Sequence, residues 1–202
     1  MVELSCDSII RALLAATNAE RYMGVFSSKE KTFRHELYKY AEYKGNRPPK
    51  PEWFVFWEPM IVEYMTNQWK FVTASWMEAD DVVAAVSLTA AKEGWTPIIC
   101  TPDKDLKQIP GLHFDYKHMD NQVFDIDDNT ADLEFWMSML TGDSSDNVKA
   151  LPGLGPVKAK AVLKDLLKAS SIERSHAVKQ KYLEAFGDYY GSIIFDETLI
   201  AL

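Results

Sequence analysis

Apolar residues recur at helical spacing through residues 3–16, where Ile9, Ile10, Leu13 and Leu14 fall on one stripe. The run RYMGVF, residues 21–26, reads as a short strand. The pattern then breaks. Residues 27–52 are polar, basic and proline-bearing, and read as a loop or a mobile helical segment. Pro51 suits the start of a helix, where its missing N–H has no intrahelical partner to lose. From there Trp53, Trp57, Met60, Ile61, Tyr64 and Met65 mark one helical face. The cluster WFVFW is expected to pack on a sheet rather than to stack on bases.

Residues 70–74 (KFVTA) read as a strand, followed by a helix over about 78–93 with Gly94 as its stop. Residues 95–100 (WTPIIC) are a second apolar strand. Residues 112–116 and 122–126 read as two more strands joined by a turn. After Thr130, the expected N-cap, the chain turns helical to its end. Alternation of strand, helix and strand followed by helices predicts an α/β fold: a parallel sheet over residues 1–128 and a helical region over 129–202. An α/β sheet usually opens with a strand and this sequence opens in a helix, so a segment before Met1 is expected.

Composition excludes several classes. With 202 residues, 47% apolar and 26% charged, the chain is long enough for a sizeable core and too apolar to be disordered. Cys6 and Cys100 cannot build a disulfide framework or a cysteine zinc site. No apolar run approaches the ~20 residues of a membrane span, and the N-terminus lacks a signal-peptide pattern. The chain therefore reads as soluble and cytoplasmic, with no membrane partner.

Charge changes the picture more. The formal net charge is −8, which alone argues against a nucleic-acid partner. Its distribution reverses that reading. Residues 29–50 carry seven positive charges against three negative, and residues 149–168 carry five lysines against Asp165. Between them, residues 103–146 carry eleven negative charges against three positive. Two basic blocks around an acidic one suit a polyanion held near a carboxylate site. Solvated surface charge accounts for any single block taken alone.

Three acidic motifs stand out: Glu78-Ala79-Asp80-Asp81, Asp103-Lys104-Asp105, and Gly142-Asp143-Ser144-Ser145-Asp146-Asn147. Each alone is explained by acidic residues favouring the first turn of a helix. Together they invite a different account. In a parallel sheet, turns after strands fall on the carboxyl edge, where open α/β proteins place ligands. Seven carboxylates gathered there would repel one another unless cations neutralised them. Hard oxygen donors, with no histidine or cysteine among them, select Mg²⁺ or Mn²⁺ over zinc. Two such ions suit phosphoryl-transfer chemistry on nucleic acid. His35, His113, His118 and His176 all lie outside the clusters.

Leu151-Pro152-Gly153-Leu154-Gly155-Pro156 precedes a helical pattern bearing Ala159, Ala161, Val162, Leu166 and Leu167. A glycine turn opening a helix points N–H groups outward, which suits a phosphate, and Lys158 and Lys160 stand beside it. The element resembles a helix-hairpin-helix, spanning about residues 136–168, which grips a DNA backbone without reading sequence. An ordinary glycine turn between helices is the competing account.

These motifs in order, EADDVVA, TPDKDLKQI, LTGDSSDN and LPGLGPVKAKAVL, resemble the 5′→3′ exonuclease and flap endonuclease family. The likeness is to bacteriophage members, phage RNase H among them, and to the 5′-nuclease domain of bacterial DNA polymerase I. Upstream, Phe33-Arg34 and the run EYKGNR at 42–47 resemble the basic segment at the base of the family's arch, here within 27–52. The resemblance covers about residues 20–170 and implies a PIN-like 5′-nuclease core.

The resemblance implies that Glu78, Asp80, Asp81, Asp103 and Asp105 hold a first metal and that Asp143 and Asp146 contribute to a second. It implies that Arg34, Lys44 and Arg47 contact the substrate near the scissile phosphate. It places duplex DNA at Gly153, Gly155, Lys158 and Lys160, with a K⁺ at the hairpin. The implied substrates are DNA with 5′ ends or flaps, and RNA–DNA hybrids, cut by a monomer. The sequence departs from the family in two places. The opening strand with its aspartate is absent, Asp7 sitting in a helical pattern, and Phe26-Ser27-Ser28 stands where many members carry an aspartate. A weak or inactive nuclease is therefore expected of this chain. A non-catalytic nucleic-acid-binding remnant and a small PIN-type ribonuclease remain as alternatives, and the hairpin argues against the second.

Overall fold

The structure is a computed structural model that describes residues 2–117, 122–149 and 151–202. His118 and the tip of the turn expected between residues 116 and 122 lie outside the described residues. The chain divides into two compact units, Met1–Thr32 with Pro48–Ile126, and Phe33–Arg47 with Asp127–Leu202.

The first unit opens with α1 (Val2–Thr17), then β1 (Val25–Phe26), α3 (Glu52–Trp69), β2 (Val72–Thr73), α4 (Ala79–Lys92), β3 (Ile98–Cys100), a 3₁₀ turn (Asp105–Gln108), β4 (Gly111–Phe114) and β5 (Phe124–Ile126). The strands are shorter than the apolar runs that announce them. They form two small sheets among the described residues, where the sequence predicts one. β1 pairs parallel with β2, β3 pairs parallel with β4, and β5 lies antiparallel to β4. The parallel pairing is as expected. The antiparallel edge follows from the short link between β4 and β5, too short for a crossover helix.

Asp7 lies on α1, where its Oδ1 accepts from Tyr64 Oη and Trp69 Nε1 of α3, both at 2.8 Å. These donors, Trp69 foremost, hold the carboxyl below its ordinary range. Asp7 is thus a tie between helices. The expected burial of WFVFW does not occur. Trp53 is 66% exposed and Phe56 65%, Phe54 alone of the cluster is partly covered, and the other covered apolar positions of α3 are Ile61, Val62, Tyr64, Met65 and Trp69 in its second half. α1 meets that half, and Pro51 serves as the N-cap of the helix.

The second unit holds α2 (Phe33–Leu37), α5 (Asp128–Thr141), α6 (Pro156–Lys164), α7 (Ser171–Phe186) and α8 (Asp188–Ala201). The N-cap of α5 is Asp127, not Thr130. Asp127 Oδ1 accepts from the Thr130 N–H at 2.6 Å, so the pattern's threonine is the capped residue. Trp136, Met139, Leu140, Leu151, Ala159, Leu163, Val178, Tyr182 and Phe195 form the core. Burial pushes the Tyr182 hydroxyl up to about 12. At Gly191 a β-carbon would meet the Tyr182 carbonyl at 2.6 Å, so only glycine lets α8 lie this close to α7.

Candidate functional site

The first acidic turn sits between β2 and α4. Glu78 is the N-cap of α4, and its backbone N–H donates to Asp81 Oδ2 at 2.9 Å in a capping box. Glu78 is buried at 8% exposure, beside the more open Asp80 and Asp81. The Ser27 hydroxyl oxygen accepts from the Ala79 N–H at 3.0 Å, fastening the chain after β1 to the start of α4. A hydroxyl just past a strand is the only sequence signal of that tie.

The second acidic turn follows β3. Thr101 Oγ1 accepts from the Asp103 N–H, and Asp103 Oδ1 accepts from the Asp105 N–H, both at 3.0 Å. Lys104 Nζ stands 3.7 Å from Asp105 Oδ1. Asp105 opens the 3₁₀ turn whose Leu106 packs with Ile99 and Ile109 against Val83 and Ala84 of α4. Asp80 and Asp81 lie one turn before Val83 and Ala84. One small apolar cluster therefore joins α4, which follows the first acidic turn, to the 3₁₀ turn that Asp105 opens.

The third acidic motif belongs to the other unit. Asp143 and Val148 close a small bridged loop by paired backbone hydrogen bonds of 3.0 and 2.8 Å. Within it Asp143 Oδ1 accepts from the Ser145 N–H at 2.7 Å. Asp146 is engaged by three donors from residues 43–47. Tyr43 Oη donates to its Oδ2 at 2.8 Å, Lys44 Nζ lies 3.5 Å from the same oxygen, and the Arg47 guanidinium donates to Oδ1. So two residues expected at the scissile phosphate and one expected on a metal meet each other. Tyr43, Asn46 and Asn147 complete the contact and are not singled out by the sequence. Asn46 donates to the Ser144 carbonyl and Asn147 to the Glu42 carbonyl, each at 2.7 Å.

Arg34, which the resemblance places near the scissile phosphate, lies in the second unit. It is buried, 9% exposed, and its Nε donates at 3.2 Å to the Ala201 carbonyl at the end of α8. A cation there meets the negative end of the helix dipole. The apolar flanks of Arg34, with Tyr38 and Tyr43 buried beside Ala201, carry it inward.

Gly153 takes φ +71° and the Leu154 N–H donates to the Leu151 carbonyl at 3.0 Å, so the chain reverses tightly before α6. Gly155 is the N-cap and Pro156 the first helical residue. Lys158 and Lys160 are exposed, and Lys158 Nζ donates back to the Gly153 carbonyl at 2.9 Å.

Glu78, Asp80, Asp81, Asp103 and Asp105 thus lie in the first unit, Asp143 and Asp146 in the second. The donors are all hard oxygens, which fits Mg²⁺ or Mn²⁺ in chemistry. Among the described residues, no three of the histidine, cysteine, aspartate and glutamate side chains stand together as a group that could hold a metal ion. No helix among the described residues is long and apolar enough to cross a membrane.

The family described as "5'-3' exonuclease, N-terminal resolvase-like domain" has a model that matches residues 4–132. DNA polymerase I of Rhizobium leguminosarum is 32% identical over 77% of this chain, and the thermostable DNA polymerase I of Thermus aquaticus 31% over 78%. The chain spans only 16% and 19% of those relatives. A 5'-3' exonuclease of Buchnera aphidicola is 30% identical over 68% of this chain, which spans half of it. In fold, the chain is similar to the T5 D15 protein crystallised with metal ions, with a TM-score of 0.72 at 16% identity over 98% of this chain and 79% of that one. A complex of the bacteriophage T5 D15 flap endonuclease with DNA and metal ions gives 0.70 at 16% identity over 98% and 80%.

Proposed function

The chain belongs to the 5'-3' exonuclease family, and on that premise we propose that it is a divalent-metal-dependent 5′-nuclease that hydrolyses phosphodiester bonds in DNA carrying 5′ ends or flaps. RNA–DNA hybrids are a second substrate class in this reading, and the working form is a cytoplasmic monomer. The observation that supports the reading is the packing of Leu106 against Val83 and Ala84, which joins the segment carrying Asp103 and Asp105 to the helix that opens with Asp80 and Asp81. In this reading cations relieve the repulsion among the carboxylates of these two turns.

In this reading Glu78, Asp80, Asp81, Asp103 and Asp105 hold one ion, and Asp143 and Asp146 contribute to another. Bound Mg²⁺ or Mn²⁺ supplies activation of water and charge stabilisation on the phosphodiester. The chain's own residues do the rest. The Glu78–Asp81 capping box fixes the first acidic turn, and Asp103 fixes Asp105 by accepting its N–H. Lys44 and Arg47 neutralise phosphate charge near the cut. The α5–α6 pair acts as a helix-hairpin-helix, with the first-turn N–H groups of α6, Lys158 and Lys160 on the duplex backbone. A K⁺ held by backbone carbonyl oxygens at the hairpin belongs to the same reading.

The test is a 5′-end-labelled duplex with a flap, incubated with the chain in Mg²⁺, in Mn²⁺ and in EDTA. Release of short 5′ products with either metal and none in EDTA is the expected result. DNA binding without cleavage at every metal concentration sinks the reading in favour of a binding role alone.

A further inference from the structure

Trp76 stands between β2 and α4, two residues before Glu78, and its backbone is left-handed at φ +58°. That region suits glycine, and for a bulky side chain it is an outlier that costs energy. The chain holds it there from both sides. Before it, the Ala74 N–H donates to the Phe26 carbonyl at 2.8 Å, and Ala74 is buried. After it, the Ser28 N–H donates to the Met77 carbonyl at 3.4 Å, and the Ala79 N–H donates to Ser27 Oγ at 3.0 Å. Glu78 then opens α4 in its capping box with Asp81. An indole that stays 53% exposed recovers only part of the free energy that burying a tryptophan can give. A glycine would make the same turn without strain. Strain that surrounding contacts hold in place collects at sites of function.

The ring offers a flat aromatic face at the head of the first acidic turn. The groups that follow it, Glu78, Asp80 and Asp81, are carboxylates. They repel a bare phosphate, and an uncharged base is the part of a strand that the ring can take. Every nucleobase has a π-face, so stacking on an aromatic ring tolerates any sequence. We infer that Trp76 is a stacking platform for an unpaired nucleobase, which holds a single strand at the first acidic turn. This rests on the nuclease reading for DNA as the ligand. The strained, exposed indole does not depend on it.

Trp76→Gly separates fold from function, because the two should move in opposite directions. Glycine relieves the left-handed backbone, so the thermal midpoint of the full chain should rise by roughly 2–4 °C. Affinity for a single-stranded oligodeoxyadenylate, read by fluorescence anisotropy in EDTA, should fall about tenfold with the loss of one stacked base. An abasic strand of equal length keeps the phosphates and has no base to stack, so wild type and Trp76→Gly should bind it equally. Trp76→Phe keeps a ring on the same backbone and should stay within about threefold of wild type on the oligodeoxyadenylate. A midpoint that does not rise in Trp76→Gly shows that the indole supports the fold as much as its backbone strains it, and overturns the inference. So does unchanged affinity for the oligodeoxyadenylate, or an equal loss on the abasic strand. A wild-type chain that binds the oligodeoxyadenylate through Trp76 yet cuts no flap DNA in Mg²⁺ or Mn²⁺ keeps the platform and ends the nuclease reading. A chain that cuts flap DNA, but whose Trp76→Gly variant binds single strands as the wild type does, keeps the reading and ends the platform.

Discussion

The guanidinium of Arg174 is buried against the carboxylate of Asp132, its Nη1 donating to Oδ2 at 2.6 Å. Arg174 is 2% exposed, and its remaining donors reach the Leu166 and Leu167 carbonyls and Asn129. One side chain on α7 therefore ties α5 to the turn that follows α6. Ser171 at the start of α7 donates to the same Asp132.

Removing one partner of such a pair leaves the other desolvated. Arg174→Met should cost ~3 kcal/mol of unfolding free energy, the usual scale for breaking a buried pair from one side. Urea denaturation followed by circular dichroism measures it. A loss under ~1 kcal/mol would show that water replaces the guanidinium freely.

His113 gives the fold a pH dependence. It is 2% exposed on β4, stacks on Phe124, and its Nε2 lies 2.8 Å from the Ile109 carbonyl, so that nitrogen carries the proton. Burial lowers its pKa below 6.5, with the Ile109 hydrogen bond opposing. The neutral ring is favoured in the folded chain while the unfolded chain takes up a proton near pH 6.5. Stability is then full above pH 6.5 and falls as pH drops toward the folded value, by up to ~1.4 kcal/mol per pH unit. Urea midpoints taken between neutral and acidic pH should show this slope. His113→Gln, which keeps a donor for Ile109 and cannot titrate, should flatten it.

The helices, the order of the elements and the three acidic motifs are legible in the sequence because each has a local signal: a 3.6-residue stripe, a glycine stop, a carboxylate after a strand. Extent is not local. Strands β1 and β2 are two residues each, because strand length depends on what a neighbour offers. The exposure of Trp53 and Phe56 has the same origin, since an apolar stripe says that a face can be buried and not whether anything covers it. Arg34 enters as a site residue through the family resemblance, and Asp146 through that resemblance and its acidic motif. Their actual partners, Ala201 and the Tyr43–Arg47 segment, lie far off in sequence and leave no spacing to read.

Lys158 and Lys160 test the nucleic-acid interface. Phosphate contacts release counterions, so affinity falls with salt along a slope set by their number. Replacing both lysines with alanine should weaken binding to duplexes of unrelated sequence equally and lower the slope by about one per lysine. Fluorescence anisotropy across a salt series measures both. An unchanged slope would place the duplex elsewhere.

Asp103 tests the metal reading most sharply, because its two roles can be separated. Its Oδ1 accepts the Asp105 N–H at 3.0 Å and so shapes the turn, while in the proposed reading its charge serves a cation. Asp103→Asn keeps an oxygen acceptor and removes the charge. Asp103→Ala removes both. If charge is what matters, both variants should lose flap cleavage by at least about 100-fold, since even groups one step removed from a metal cost 10–100-fold when replaced. Thermal midpoint and DNA affinity in EDTA should stay near wild type for Asp103→Asn, because the basic blocks are untouched. Raising Mn²⁺ should recover part of the asparagine variant's activity, as weaker binding is offset by concentration. Cleavage retained by Asp103→Asn and lost by Asp103→Ala would instead make Asp103 a shaper of the turn, and would leave Asp105 and the α4 carboxylates to hold the ion without it.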